Sequence, residues 1–252
     1  MHVREFFTED GFHVSYLGPP LEDGYLPCVF YFALSALDSL TLDPYNQPAL
    51  ELAKDNNLRV FSVSLPGHEP PLLKENAFVY WAENVMNNND ILTPFLHRTC
   101  RAIEYLQEKD YIRAETTVVM GLSRGGFIAA HIAAMLPSID KVIAFAPVTK
   151  IEHATDFREI HEHPIVRHLS LSRHMQELCK KKICFYIGNR DERVGTKHCF
   201  DFISSLADLK FKLREKKGSY KLNISDSIGF MGHGTSPEVF KEGADYAKSL
   251  IL

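Results

Sequence analysis

Short apolar runs alternate with longer amphipathic stretches along most of the chain, a rhythm that predicts strands alternating with helices. Two runs near the N-terminus flank the turn Glu9-Asp10-Gly11 and predict a β-hairpin over residues 4–8 and 12–17. Later apolar runs predict buried strands over residues 27–32, 58–65, 116–120, 141–148, 183–187 and 219–224. Helical spacing predicts helices over residues 48–56, 125–136, 196–206 and 237–252, and another that begins after Asp90. This order predicts an α/β fold with a mostly parallel sheet and helices on both faces.

Two segments break this rhythm. Residues 66–89 contain several prolines and a run of asparagines, and we expect them to be irregular. Residues 149–180 are polar and rich in histidine without clean periodicity, and we interpret them as a small insertion, a lid over the active edge of the sheet. Because no composition shift divides the chain, we expect residues 1–252 to form a single domain.

Composition and charge narrow the class of protein. The 252 residues are 45% hydrophobic and carry a net charge of −4 with both signs scattered, so we expect neither a nucleic-acid partner nor an anionic membrane surface. No apolar run reaches the length of a membrane span, and the first residues lack the apolar core of a signal peptide. The five cysteines are odd in number and form no Cys-x-x-Cys pair, which favours a reduced, cytoplasmic protein.

The most informative motif is Gly-Leu-Ser-Arg-Gly at residues 121–125. A β-branched, apolar run precedes it, and a helical run apolar on nearly every side follows it. This context predicts a sharp strand-to-helix turn that exposes the Ser123 hydroxyl at a helix N-terminus. Glycines flank the serine because side chains would clash where strand and helix approach each other.

A base and an acid follow Ser123 in the chain order expected for this turn. Asp191 follows the strand predicted at residues 183–187, and His233 lies between glycines after the strand predicted at 219–224. Imidazole accepts the serine proton near neutral pH, and a carboxylate on its other nitrogen fixes the tautomer. We therefore predict a triad of Ser123, Asp191 and His233, with the neighbouring Glu192 as an alternative acid.

These motifs make the chain resemble the α/β-hydrolase superfamily, over almost its whole length. Gly-x-x-Asp-x-x-Val at 188–194 and Ala-Pro-Val-Thr at 146–149 favour its branch of prolyl-oligopeptidase-like and esterase-like proteins. The resemblance implies an eight-stranded sheet, a serine–acid–histidine triad and no cofactor. It also makes His68 a structural residue, because residues 64–69 resemble the Asp-x-Pro-Gly-x-Gly turn of these proteins.

The chain departs from the superfamily where the second oxyanion donor is expected. A His-Gly pair often stands there, whereas residues 31–36 contain no glycine. One donor is expected to be the backbone N–H of Arg124, the residue after the nucleophile. For the second we predict the backbone N–H of Leu34 or Ser35.

Histidines of the 149–180 segment lack the spacing that places two ligands on one helix face, so we predict no metal site. The resulting hypothesis is a serine hydrolase that cleaves a small-molecule carboxylic ester through an acyl-enzyme. An acyltransferase, a thioesterase or a peptidase would use the same triad. A non-catalytic binding protein of the same fold is the second alternative, and the sequence carries no signature of a particular oligomeric state.

Overall fold

The computed structural model describes residues 2–68 and 77–252. Its centre is an eight-stranded sheet with the strand order β1-β2-β4-β3-β5-β6-β7-β8. The strands are β1 (Arg4–Phe7), β2 (His13–Leu17), β3 (Cys28–Phe32), β4 (Arg59–Ser62), β5 (Thr117–Leu122), β6 (Lys141–Phe145), β7 (Lys182–Gly188) and β8 (Ser219–Ser225). β1 pairs with β2 as the expected antiparallel hairpin, β2 pairs antiparallel with β4, and all pairs from β4 through β8 are parallel. The predicted α/β fold with a mostly parallel sheet is confirmed.

Helices cover both faces of this sheet. They are α1 (Ala36–Thr41), α2 (Gln47–Leu52), α3 (Ala77–Met86), α4 (Leu92–Glu108), α5 (Arg124–Met135), α6 (Pro164–Leu169), α7 (Met175–Leu178), α8 (Thr196–Leu213) and α9 (Pro237–Ile251). Side chains of α3, α4, α5 and α8 join one hydrophobic core, and those of α1, α2 and α9 join the other. Because side chains alternate along a strand, Phe30 of β3 faces the first core and Tyr31 the second.

Part of the segment expected to be irregular is helical. In α3, Phe78, Trp81 and Val85 are buried at helical spacing. The Trp81 indole N–H donates a hydrogen bond of 2.7 Å to the Pro66 carbonyl. The surrounding prolines and asparagines concealed this spacing in the sequence. The prolines at positions 70 and 71 lie outside the described residues, as does Glu69 of the turn at 64–69.

The 149–180 segment contains short helical turns together with the helices α6 and α7. It is not a detached polar insertion, because Ile151, Phe157 and Leu169 are buried in the core that also contains α5. Phe157 makes an edge-to-face contact with Phe78 of α3, with ring centroids 6.0 Å apart. Its action as a lid stays a prediction.

Candidate active site

Ser123 lies in a tight turn between β5 and α5. Its φ is 55° and its ψ is −112°. Such a backbone conformation is strained for a residue other than glycine. The Ser123 N–H donates to the Phe145 carbonyl at 2.8 Å. The backbone therefore holds the serine at a fixed position at the carboxyl edge of the sheet.

The turn depends on its glycines. A Cβ on Gly125 would lie 1.7 Å from the Phe32 carbonyl oxygen. A Cβ on Gly121 would lie 2.1 Å from the Gly125 carbonyl oxygen. A side chain at position 121 would push β5 and α5 apart, and one at position 125 would push α5 away from the end of β3, so the geometry of the turn requires glycine at both.

His233 connects Ser123 to Asp191. Its Nε2 lies 2.9 Å from Ser123 Oγ, and its Nδ1 lies 2.7 Å from Asp191 Oδ2. Because a carboxylate only accepts hydrogen bonds, the pair with Asp191 places the proton on Nδ1 and leaves Nε2 as the acceptor for the serine hydroxyl. The three residues, 110 and 42 positions apart along the chain, thus form one continuous hydrogen-bonded series.

Asp191 is the acid that contacts the histidine. Only 4% of the residue is exposed, and its other oxygen, Oδ1, accepts the backbone N–H groups of Arg193 and Val194, both at 3.0 Å. Glu192 instead directs its exposed carboxylate to the Arg190 guanidinium, 2.9 Å away. The geometry therefore favours Asp191 over Glu192, the alternative raised from the sequence.

The loop carrying His233 is fixed against the loop carrying Asp191. Gly232 has a φ of 72°, and a Cβ there would lie 2.1 Å from the Arg190 carbonyl oxygen. The Glu192 N–H donates to the Met231 carbonyl at 2.9 Å. Glycine is required at 232 because the two loops approach each other this closely.

The predicted oxyanion donors differ in their surroundings. Arg124 is the first residue of α5, where a backbone N–H has no acceptor within the helix. The Leu34 N–H donates to Ser39 Oγ at 2.9 Å, so it already has an acceptor within the protein, and its role as an oxyanion donor stays a prediction. This hydrogen bond results from the unpredicted helix α1, which begins after Ser35 and brings Ser39 back towards the loop. Ser35 Oγ caps this helix by accepting the Asp38 N–H at 3.0 Å, and the role of the Ser35 N–H stays a prediction.

Two cavities meet at Ser123 and His233. The larger, of about 400 Å³, has mixed apolar and charged walls formed by Phe78, Val148, Lys150, Ala154, Thr155, Asp156, Arg193, Val194, Phe230 and Met231. The smaller, of about 200 Å³, lies on the oxyanion side and is formed by Ala33, Leu34, Tyr45, Leu122, Arg124 and Arg193. A substrate carbonyl at Ser123 therefore has space on both sides of the nucleophile.

The model of the prolyl oligopeptidase family matches residues 97–248, more than half of the chain and the region that contains Ser123, Asp191 and His233. The chain belongs to the prolyl oligopeptidase family. This membership, together with the α/β-hydrolase fold, supports a serine hydrolase. No curated protein sequence matches the chain.

Solved structures agree with this family in fold. A cold-adapted esterase from an Arctic intertidal metagenomic library aligns over 99% of this chain and 94% of its own, with 16% identity and a TM-score of 0.66. TT1662 from Thermus thermophilus aligns over 100% and 99%, with 15% identity and a TM-score of 0.70. Dipeptidyl peptidase 4 from Porphyromonas gingivalis aligns over 98% of this chain, with 14% identity and a TM-score of 0.67, and the chain spans only 35% of that protein.

Sequence reasoning missed several cavity residues of this prolyl oligopeptidase family member. Tyr45, Lys150 and Arg193 lie in loops, where neither periodicity nor motif indicates which way a side chain faces. Arg193 had one available signal, because it stands two residues after the predicted acid. Phe230 and Met231 line the larger cavity, whereas Trp81 is buried in the core.

The pKa of His68 indicates that this residue is not a catalytic base. Burial, reinforced by the Arg124 guanidinium, lowers the pKa of His68 to about 3, so the ring is neutral at physiological pH. The Arg124 guanidinium itself lies over the Phe78 ring, 5.1 Å from its centroid, in the geometry of a cation–π contact. The burial of His68 and its lowered pKa agree with the structural role that the resemblance implies.

Two broader features concern the described residues as a whole. Over residues 2–68 and 77–252, no group of three or more histidine, cysteine or acidic side chains is arranged to hold a metal ion. Over the same ranges, no helix combines the length and apolarity needed to cross a membrane. All five cysteines are buried free thiols.

Proposed function

We propose that this protein cleaves small carboxylic esters through an acyl-enzyme, with Ser123 as the nucleophile, His233 as the general base and Asp191 as the orienting acid. The observation that carries the proposal is the continuous hydrogen-bonded series from Ser123 Oγ through both nitrogens of His233 to Asp191 Oδ2. A serine hydroxyl is a weak nucleophile at neutral pH, and this series supplies the base that activates it.

The reaction follows from these positions. Ser123 Oγ attacks the ester carbonyl carbon while its proton passes to His233 Nε2, and Asp191 stabilises the resulting imidazolium. The tetrahedral oxyanion accepts the Arg124 N–H at the start of α5. His233 then protonates the departing alkoxide. A water molecule, deprotonated by His233, then attacks the acyl-enzyme carbonyl. The bond to Ser123 Oγ breaks as His233 returns the proton to that oxygen, and the carboxylic acid leaves.

The second oxyanion donor is either the Ser35 N–H or the Tyr45 hydroxyl. Tyr45 lines the same small cavity as Ser123 and Arg124. If Tyr45 is the donor, Tyr45→Phe lowers kcat about 100- to 1000-fold with little change in KM, because the donor acts on the transition state. Turnover that persists in Tyr45→Phe assigns the role to the backbone of Ser35.

The size of the larger cavity favours an ester substrate over a peptide. The larger cavity has a volume of about 400 Å³, which lies near the lower end of the range of ligand sites and suits a compact acyl group. The 149–180 segment contributes Lys150, Ala154 and Asp156 to one wall, and as a lid it would control entry there.

The test compares p-nitrophenyl esters of increasing acyl length with dipeptide p-nitroanilides, using the wild type and Ser123→Ala. We expect hydrolysis of short esters that Ser123→Ala abolishes, and slower or no cleavage of the anilides. Preferential anilide cleavage would replace the esterase by a peptidase. Adding alcohol or thiol acceptors and analysing the products distinguishes an acyltransferase, and thioester substrates distinguish a thioesterase. Ester turnover retained in Ser123→Ala contradicts the catalytic assignment itself.

A further inference from the structure

A second concave surface lies at the opposite edge of the sheet from Ser123. It has a volume of about 1040 Å³ and is formed where β6, β7 and β8 begin, at Lys141, Lys182 and Ser219. Ser123, by contrast, follows the carboxyl end of β5. Because the strands from β5 to β8 are parallel, the full length of the strands separates this surface from the triad. A ligand bound here would not contact the triad.

The surface is rich in lysine, and we call it the lysine cavity. Its lining includes Lys141, Lys180, Lys181, Lys182, Lys216 and Lys217. The carboxylates that line it are fewer: Glu115, Asp140 and Glu177. The whole chain has a net charge of −4. The charge of this surface is therefore opposite in sign to the net charge of the protein. Such a concave patch concentrates anions from solution.

Two of these lysines are built into the fold. Lys181 is 4% exposed, and its ammonium donates to three backbone carbonyls just beyond α5, at 2.8 to 3.3 Å. Lys141 is also 4% exposed, and its ammonium donates to Asp140 Oδ1 at 2.6 Å and to the Glu115 carbonyl at 2.8 Å. Their positive charges are held at fixed positions beneath the surface.

The other four lysines are exposed: Lys180, Lys182, Lys216 and Lys217. Within residues 2–68 and 77–252, none of the four forms an ion pair, whereas several other surface lysines do. Glu215 stands beside Lys216, but its carboxylate accepts the backbone N–H of Lys217 at 2.9 Å rather than an ammonium. Four ammonium groups from two separate parts of the chain are therefore directed to solvent around one cavity.

We propose that the lysine cavity binds a sugar or nucleoside that carries two or more phosphate groups. Ammonium groups are point charges that match phosphate oxygens from several directions, and four of them around one cavity suit more than one phosphate. Glu115 and Glu177 supply acceptors for the hydroxyl groups of a sugar. The volume of about 1040 Å³ corresponds to the upper end of small-molecule sites and leaves room for a nucleotide.

The test measures binding of ATP and of inorganic pyrophosphate by isothermal titration calorimetry, without added metal. Lys216→Gln/Lys217→Gln removes two of the exposed charges. Lys109→Gln/Lys212→Gln, a control pair outside the cavity, removes the same charge elsewhere. We expect saturable binding, tighter for ATP than for pyrophosphate. The dissociation constant should rise at least about tenfold in the first variant, because it loses charged hydrogen bonds to phosphate. In the control the dissociation constant should stay unchanged.

Circular dichroism and the midpoint of urea denaturation should be unchanged in both variants, which shows that they are folded. Neither measurement requires ester hydrolysis, so this test is independent of the proposed reaction. No saturable binding of either probe would overturn the proposal. Equal weakening in both variants would also overturn it, since that outcome indicates only non-specific charge attraction. Much tighter binding of a long RNA or of anionic lipid vesicles, with the same lysine dependence, would replace the small ligand by a macromolecular surface.

Discussion

Helix α5 runs from the edge of the sheet that carries Ser123 to the edge beside the lysine cavity. The helix dipole acts at both ends, but on different kinds of charged group. At its start, Arg124 lines the small cavity beside Ser123. Beyond its other end, the carbonyls of Leu136, Pro137 and Ile139 accept hydrogen bonds from the Lys181 ammonium. Helix dipoles favour a negative charge at the first end and a positive charge at the second.

The two ends of α5 differ in which group carries the charge that the helix dipole stabilises. The N-terminal end borders a cavity, so in the proposed reaction the charge that it stabilises is one that develops on the substrate. At the C-terminal end the partner is a side chain of the protein, so the stabilisation contributes to folding. Changes at the first end should therefore appear in turnover, and changes at the second in the free energy of unfolding.

The largest effect is expected from His233→Asn at the N-terminal end. Loss of the base should lower kcat for ester hydrolysis by about a millionfold, and Ser123→Ala and the double variant should fall to the same residual rate, because the triad acts as a unit. Steady-state kinetics with a p-nitrophenyl ester measures this, with the exposed His97→Asn as the control. A further large loss in the double variant would show that the two residues act independently.

Asp191→Asn is expected to have the next largest effect. An amide in place of the carboxylate favours the wrong histidine tautomer and should lower kcat about 10,000-fold with little change in KM. Glu192→Gln is the matched control in the adjacent position, and it should retain nearly full turnover because its carboxylate contacts Arg190. The reverse ranking of these two variants would identify Glu192 as the acid.

At the C-terminal end, Lys181→Met should lower the free energy of unfolding by about 1–3 kcal/mol, since it leaves buried carbonyls without a donor. The specific activity of the folded protein should be unchanged. Urea denaturation followed by circular dichroism measures the difference, with the exposed Lys180→Met as the control. Equal stability of the two variants would mean that Lys181 does not stabilise the end of α5.

The last prediction concerns His131, within α5, whose effect near neutral pH is the smallest. Burial, with a contribution from nearby His174, lowers the pKa of His131 to about 3, and its Nε2 lies 3.0 Å from the Leu169 carbonyl. Because the unfolded chain takes up a proton below about pH 6.5 and the folded chain does not, stability should fall with decreasing pH by up to about 1.4 kcal/mol per pH unit. Denaturation of His131→Gln between about pH 7 and pH 4.5 should show a shallower decline than the wild type or His97→Gln. An identical decline would contradict this.

The sheet, and the closeness of the three residues proposed as the triad, can be predicted from the sequence for a physical reason. Alternating apolar runs are local signals, and Ser123, Asp191 and His233 each follow a strand, so the parallel order of strands brings them to one edge. Helix α1 was not predicted because its signal is one serine cap and a single short turn, and without it the sequence could not indicate that Ser39 accepts the Leu34 N–H. The placement of Tyr45 depends on loop geometry that no periodic pattern describes.

The lysine cavity could not be predicted from the sequence for a similar reason. Its lysines come from three separate parts of the chain, and the sequence shows them only as scattered charges. They become one surface because β6, β7 and β8 are adjacent and parallel, so that the residues preceding each strand lie together. Charge at a sheet edge therefore becomes apparent only when the strand order is known.

The central claim is that the His233–Asp191 pair activates Ser123 as a nucleophile. Its most direct test is covalent labelling of the purified protein with a fluorophosphonate, followed by intact mass and peptide mapping. We predict one adduct per chain, on Ser123, in the wild type, and a strongly reduced labelling rate in His233→Asn. A folded wild-type protein that does not label, or a label on another serine, would contradict the account and favour a non-catalytic binding protein.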